Sequence, residues 1–214
     1  RESLLSIISK LLEHDTLKKT LNEGEKIWRA RLLDSDLKNV LPEEDPFDID
    51  PPSPEEIQKE LGPPPNNMAQ NNRMNPVGIS YMYLSNNMET CLSEIRPSVG
   101  SEVLLGQFVL AKDIDILDLT SIPDITFESI FNPDYERDML WTESFMEDFI
   151  NEISKPICEK DASLDYIPTQ VLTEFIRKKG FQGVKYKSSQ NKSGVNYTLF
   201  FGPEINSITR SMHH

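Results

Sequence analysis

Histidine is nearly missing from this chain of 214 residues: three occur, two of them the terminal pair His213-His214, so only His14 stands inside the sequence. One histidine builds neither a zinc site nor the base that a Ser or Cys nucleophile needs. Residues 210–214 read as a tag remnant and Arg1 as a processing boundary, so the terminal pair is left out of any metal argument and no metal is expected. Cysteine is equally scarce. Cys91 and Cys158 form no disulfide framework and stand at no metal-ligand spacing. A reducing, cytoplasmic setting follows.

Basic charge is short as well. Against 35 Asp and Glu there are 22 Lys and Arg, a net charge of −13. Attraction to nucleic acid or an anionic membrane surface needs a basic face, so the balance argues against both partners and makes a nuclease the weakest reading. No apolar run approaches the roughly 18 residues of a membrane span, and no secretory signal is expected. Glycine-rich phosphate loops, His-Glu-x-x-His and Gly-x-Ser-x-Gly are all absent. What is present, 37% apolar and 27% charged residues, is the composition of one globular domain large enough to fold without staples.

Leu4, Leu5, Ile7, Ile8, Leu11, Leu12, Leu17 and Leu21 recur at spacings of three, four and seven, predicting an amphipathic helix over residues 3–25 and an N-terminal unit over 1–26. Ile27 to Leu32 alternates as a strand with Arg29 and Arg31 on one face. Residues 34–76 hold nine of the 15 prolines. This insert, with one short helical stretch at 54–61, cannot be sheet interior and is expected to border or cover a site. Strands are expected over 79–85, 102–112, 114–119, 183–187, 196–201 and 205–209. Helices are expected from an Asn86 cap with Glu89 to Ile95, over 136–153 with Leu140, Phe145, Phe149 and Ile153 in the core, and from an Asp165 cap to Gly180. Strands and helices do not alternate strictly, and the fold class is α+β.

Polar residues interrupt the apolar strands at Arg29, Arg31, Tyr83 and Ser188, with Arg73 in an Asn-rich loop and Glu94 in a short helix. Taken singly, each has an ordinary reading: an arginine paired with one of many carboxylates, a solvated glutamate, a core tyrosine, a turn serine. An arginine pointing across a cleft can instead hold phosphate through its planar fork. A nearby carboxylate can steady developing positive charge on a sugar.

Four segments in order, Trp28-Arg29-Ala30-Arg31, Arg73-Met74-Asn75-Pro76-Val77-Gly78-Ile79 with Tyr83-Leu84-Ser85, Glu89 to Glu94, and Gly183 to Ser188, resemble the motifs of the RES domain, from about residue 27 to 201. Asp165 to Gln170 resembles the helix opening of a subgroup with a Pro-rich insert. The resemblance implies an ADP-ribosyltransferase-like mixed sheet over 27–209 with surrounding helices. It also implies a bacterial toxin or defence effector that consumes NAD, as a glycohydrolase or a phosphorylase with inorganic phosphate as co-substrate. A protein ADP-ribosyltransferase and a catalytically inactive interaction module stand as alternatives, and an antitoxin or regulatory protein is the implied partner. Carried over, Arg29 is the family arginine, with Arg31 as the alternative, Glu94 the glutamate and Ser188 the serine. Tyr83 joins them as a catalytic residue, and Arg73, Arg31, Asn75 and Gln170 form the cofactor-binding set.

Overall fold

The computed structural model describes residues 17–33, 60–120, 137–154, 166–201 and 208–209, with Ser9 and Leu12 besides. Strands β1 (Lys18–Leu21), β2 (Lys26–Leu32), β3 (Met82–Ser85), β4 (Val103–Leu110), β5 (Ile114–Asp118), β6 (Gly183–Lys187), β7 (Val195–Leu199) and β8 (Ile208–Thr209) form one sheet. Their order is β1-β5-β6-β7-β3-β2-β4-β8. Of the described strand pairs only β5 and β6 run parallel; between them in sequence lie α2 (Arg137–Ser154) and α3 (Ile167–Lys178). Helix α1 (Met88–Ile95) follows β3 directly and packs beside β2 and β3, and Asn66–Met68 form a 3-10 turn. The architecture is α+β, as the lack of strict alternation implies.

One expectation is overturned at the N-terminus. Ser9 and Leu12 are helical, but residues 18–21 are an antiparallel strand on β5, Lys18 opposite Leu117 and Leu21 opposite Ile114. Leu17 and Leu21 are four apart, a spacing that serves a period of two as well as one of 3.6. Cross-strand partners decide between them, through the ladder and a Thr20 Oγ1 donation to Asp115 Oδ1 at 2.7 Å. The rest of the expected helix lies outside the described residues, as do residues 34–59 of the proline-rich insert and Asp165. Residues 205–207 and the side chains of Leu140 and Phe145 also lie outside the described residues, and the other elements fall near their expected bounds. The cap of α1 shifts by one: Asn87, not Asn86, accepts from Thr90 N at 2.8 Å, while Asn86 Oδ1 accepts from Val195 N. Helix α3 starts with Pro168 in its first turn and gives way to Gly180 at φ 97°, the left-handed position glycine adopts without strain.

Alternation along the strands separates two cores. Leu117, Val184 and Tyr186 join Phe149 and Ile153 of α2 and Leu172 and Ile176 of α3. Ile116, Leu199, Met82 and Leu84 form a second cluster with Ile27, Phe108 and Leu61. Leu61 is fully buried over Gly106, which stands opposite Arg29 in the β2–β4 ladder. The middle of the proline-rich insert is thereby docked beside the arginine-bearing strand. Among the described residues no helix is long and apolar enough to cross a membrane.

The parallel pair carries a charged clamp. Lys185 Nζ lies 2.7 Å from Asp118 Oδ2, with side chains 14% and 11% exposed, and Thr120 donates its amide and hydroxyl to Asp118 Oδ1. Burial alone would raise the Asp118 carboxyl; the hydrogen bonds from Lys185 and Thr120 outweigh it and hold the group below its ordinary value. A depressed carboxylate stabilises the fold above its unfolded value and loses that contribution as pH falls through the folded one. Removing one member strands the other, so Asp118→Ala is expected to cost about 2–3 kcal/mol in urea unfolding at pH 7. That difference should hold down to about pH 4 and shrink below it.

Candidate functional site

Glu94 sits in the last turn of α1, where the carbonyl end of the helix disfavours a carboxylate. The sequence places it there regardless, and two donors hold it. Ser188 Oγ and Asn196 Nδ2 both reach Glu94 Oε1 at 2.6 Å. Charge-assisted bonds of this kind are roughly twice as strong as neutral ones. Among the described residues no hydrogen bond goes to Oε2, which leaves that oxygen for a ligand. Ser188 opens the turn between β6 and β7 and accepts from the amides of Gln190 and Asn191. Two further links tie that turn to α1: Asn191 Nδ2 to Thr90 Oγ1 at 3.0 Å, and Arg96 to Gln190 Oε1 at 2.8 Å. The approach is close enough that a Cβ on Gly194 would lie 2.5 Å from Thr90 Oγ1.

A cavity of about 950 Å³ opens beside this carboxylate. Six of the eight expected residues line it: Arg29, Arg31, Arg73, Asn75, Tyr83 and Glu94. Ser188 and Gln170 do not, and act on it through the groups they hold. From the proline-rich insert, Glu60 and residues around 62–70 contribute walls, in keeping with the expectation that the insert borders a site.

The arginines differ in what occupies them. Arg29 is largely buried on β2, and among the described residues its Nη1 has no hydrogen-bond partner. Burial first, and then the neighbouring Arg31, lower its pKa to about 10. It stays charged at neutral pH, at a cost to the folded state of about 3 kcal/mol. An unpaired cation held beside a cavity is a poor stabiliser and a ready anion site. Arg31, half exposed at the rim, is bonded to the Glu60 carbonyl at 3.2 Å and lies 3.5 Å from its carboxylate. Arg73 donates from Nη1 to the Glu152 carbonyl at 2.9 Å, lies 3.7 Å from the Glu152 carboxylate and stacks 5.3 Å from the Tyr166 ring centroid. It supplies the cation that the last turn of α2 otherwise lacks. Arg73, expected in the cofactor-binding set, lines the cavity while its Nη1 anchors a helix.

Tyr83 and Asn75 form a pair. The phenol donates to Asn75 Oδ1 at 2.6 Å, while Asn75 Nδ2 bonds the carbonyls of Gln70, Pro76 and Ile79. Burial pushes the Tyr83 phenol well above its ordinary value, so the group is neutral and its hydroxyl committed. Its ring remains for the cavity. Gln170, on α3, places Nε2 on Asn71 Oδ1, the Asn72 carbonyl and the Asn75 carbonyl, and Thr169 Oγ1 bonds the Arg73 carbonyl. Through these bonds Asn75 and Gln170 shape the 70–76 loop and hold the Tyr83 hydroxyl; of the two, Asn75 also lines the cavity.

Sequence reasoning missed Asn196, Ser85 and Tyr186. Tyr186 lines the cavity with its phenol pushed up to about 12 by burial. Asn196 lies directly opposite Ser85 in the β3–β7 ladder. A buried polar pair at matching strand positions is a legible signal only once the register is known.

Residues 45–214 match the RES domain family, and the chain belongs to that family. None of the curated proteins matches the sequence. Among solved structures the chain is similar to the crystal structure of the M. tuberculosis MbcT–MbcA toxin–antitoxin complex. The identity is 12%, 99% of this chain and 91% of that chain are covered, and the TM-score is 0.48.

The state of Arg29 makes a measurable trade. Arg29→Met removes an uncompensated buried charge and is expected to raise unfolding stability by about 1–2 kcal/mol in urea at pH 7. Millimolar pyrophosphate should raise the melting temperature of the wild type by mass action and leave that of Arg29→Met unmoved.

Proposed function

We propose that this RES domain protein is an NAD-consuming enzyme that cleaves the nicotinamide–ribose bond. The observation that carries the reading is the pairing of Glu94, one oxygen clamped and the other left for a ligand, with the unpartnered Arg29 across the same cavity. Nicotinamide leaves NAD as a neutral group, and the ribose it leaves behind carries oxocarbenium-like positive charge. The site needs to hold the substrate and stabilise that charge, and a strong base is not required of it. Glu94 Oε2 faces the ribose hydroxyls and the cationic centre, as carboxylates do at glycosidic bonds. Arg29 takes the pyrophosphate, or the attacking phosphate in a phosphorolysis, with Arg31 contributing at the rim. Tyr83 presents its ring to nicotinamide or ribose. Ser188 serves by holding Glu94, and Arg73, Asn75 and Gln170 by holding the walls.

Family membership supports the same reading, with an ADP-ribosyltransferase-like sheet and the role of a toxin restrained by an antitoxin or other regulatory protein. Incubation with NAD is expected to release nicotinamide. Inorganic phosphate decides the acceptor: ADP-ribose as product with or without it indicates hydrolysis, and a phosphorylated ADP-ribose formed only with it indicates phosphorolysis. Glu94→Ala and Arg29→Ala are each expected to lower turnover by about a hundredfold or more. Tyr83→Phe should stay within about threefold of wild type, because its hydroxyl bonds Asn75 and not the substrate. Label transferred to a protein with little free ADP-ribose would replace hydrolysis by ADP-ribosyl transfer. Neither NAD binding nor turnover would leave an interaction module.

A further inference from the structure

We propose that Asn196 is a positioning residue that fixes the reactive orientation of Glu94, with Ser85 fixing Asn196 in turn. The proposal rests on the reading of the cavity as an NAD site. Asn196 and Ser85 occupy facing positions of the β3–β7 ladder, 7% and 3% exposed, on the sheet face opposite that of Tyr197, Leu199, Met82 and Leu84. Ser85 has one hydroxyl proton, and it goes to Asn196 Oδ1 at 2.8 Å. The amide is thereby oriented with its nitrogen toward Glu94, which it reaches at 2.6 Å.

Glu94 stands on a helix of eight residues and on a side chain with three rotatable bonds. Ser188 alone would pin Oε1 through one contact and leave the carboxylate free to swing about it. The second donor comes from the middle of the sheet. Two donors on one oxygen from different elements leave a single direction for Oε2. Holding a charge-stabilising group in place before the reaction is worth most when the charge develops. This predicts an effect on turnover larger than on substrate binding.

The test compares Asn196→Ala, Asn196→Asp and Ser85→Ala with wild type by nicotinamide release from NAD, with melting temperatures measured alongside. Asn196→Ala should lower kcat by about tenfold or more with KM within about threefold. Asn196→Asp, equal in size but a carboxylate facing a carboxylate, should fall below Asn196→Ala; a residue that merely filled space would show the reverse order. Ser85→Ala leaves Asn196 in place and should lower kcat severalfold by freeing the amide, which keeps the proposal testable if the Asn196 variants fail to fold. Wild-type kcat in Asn196→Ala, or a loss confined to KM, or Asp outperforming Ala, overturns the assignment of Asn196 while the wild-type activity stands. No nicotinamide release from the wild type overturns the NAD reading itself, and the assignment with it.

Discussion

The site depends on one carboxylate being kept where local structure would rather not have it. Glu94 lies in the final turn of a short helix, against the helix dipole, and neither its neighbours on α1 nor the solvent fix its direction. Ser188 and Asn196 do, from a turn and a strand about a hundred residues away in sequence. The rest of the architecture is arranged around making that meeting accurate. The antiparallel β6–β7 and β7–β3 pairings set the distance, and Asn191 on Thr90 and Gln190 on Arg96 prevent the turn from lifting. Even the close approach at Gly194 belongs to this contact, since any side chain there would push the turn away from α1.

A second constraint is electrostatic. In a chain with a net charge of −13, carboxylates are plentiful enough to neutralise every arginine, and most of the described ones are so paired. Arg31 has Glu60, Arg73 has Glu152 and Arg177 has Glu174. Arg29 has its lowered pKa and a buried nitrogen without a partner. Among the described residues no carboxylate offsets that cost, which sets Arg29 apart from the arginines held in structural ion pairs. The acidic exterior sharpens the contrast, because it makes the unpaired cation an exception.

The residues that the RES resemblance singled out fall into two physical groups. Arg29, Glu94 and the ring of Tyr83 border the cavity with capacity to spare. Ser188, Asn75 and Gln170 have used their donors on protein groups, namely Glu94, the 70–76 loop and that loop's backbone, and Arg73 commits Nη1 to the end of α2. Recurrence in a motif does not distinguish these cases, since a residue that holds a catalytic group is constrained as tightly as the group itself. Asn196 belongs with the second kind, and nothing in its neighbourhood Val195-Asn196-Tyr197-Thr198-Leu199 marks it apart from a polar residue on an alternating strand.

Period and punctuation made most of the elements legible. Alternation in Ile27 to Leu32, the apolar stripe of Phe149 and Ile153, and Pro168 with Gly180 around α3 are local signals, and local sterics and hydrogen bonding enforce them whatever the fold. The N-terminal segment misled because Leu17 and Leu21 satisfy two periods at once, and only the partner strand β5 resolves the ambiguity. By itself, then, the sequence determined the fold class, the order of the motifs and the scarcity of histidine, cysteine and basic charge that narrows the chemistry. Which arginine is left unpaired, which oxygen of Glu94 is free and which amide holds the other were decided only by tertiary structure. Each depends on distances between strands and turns far apart in the chain, and hydrogen bonding and burial act over a few ångströms of space with no regard to sequence separation.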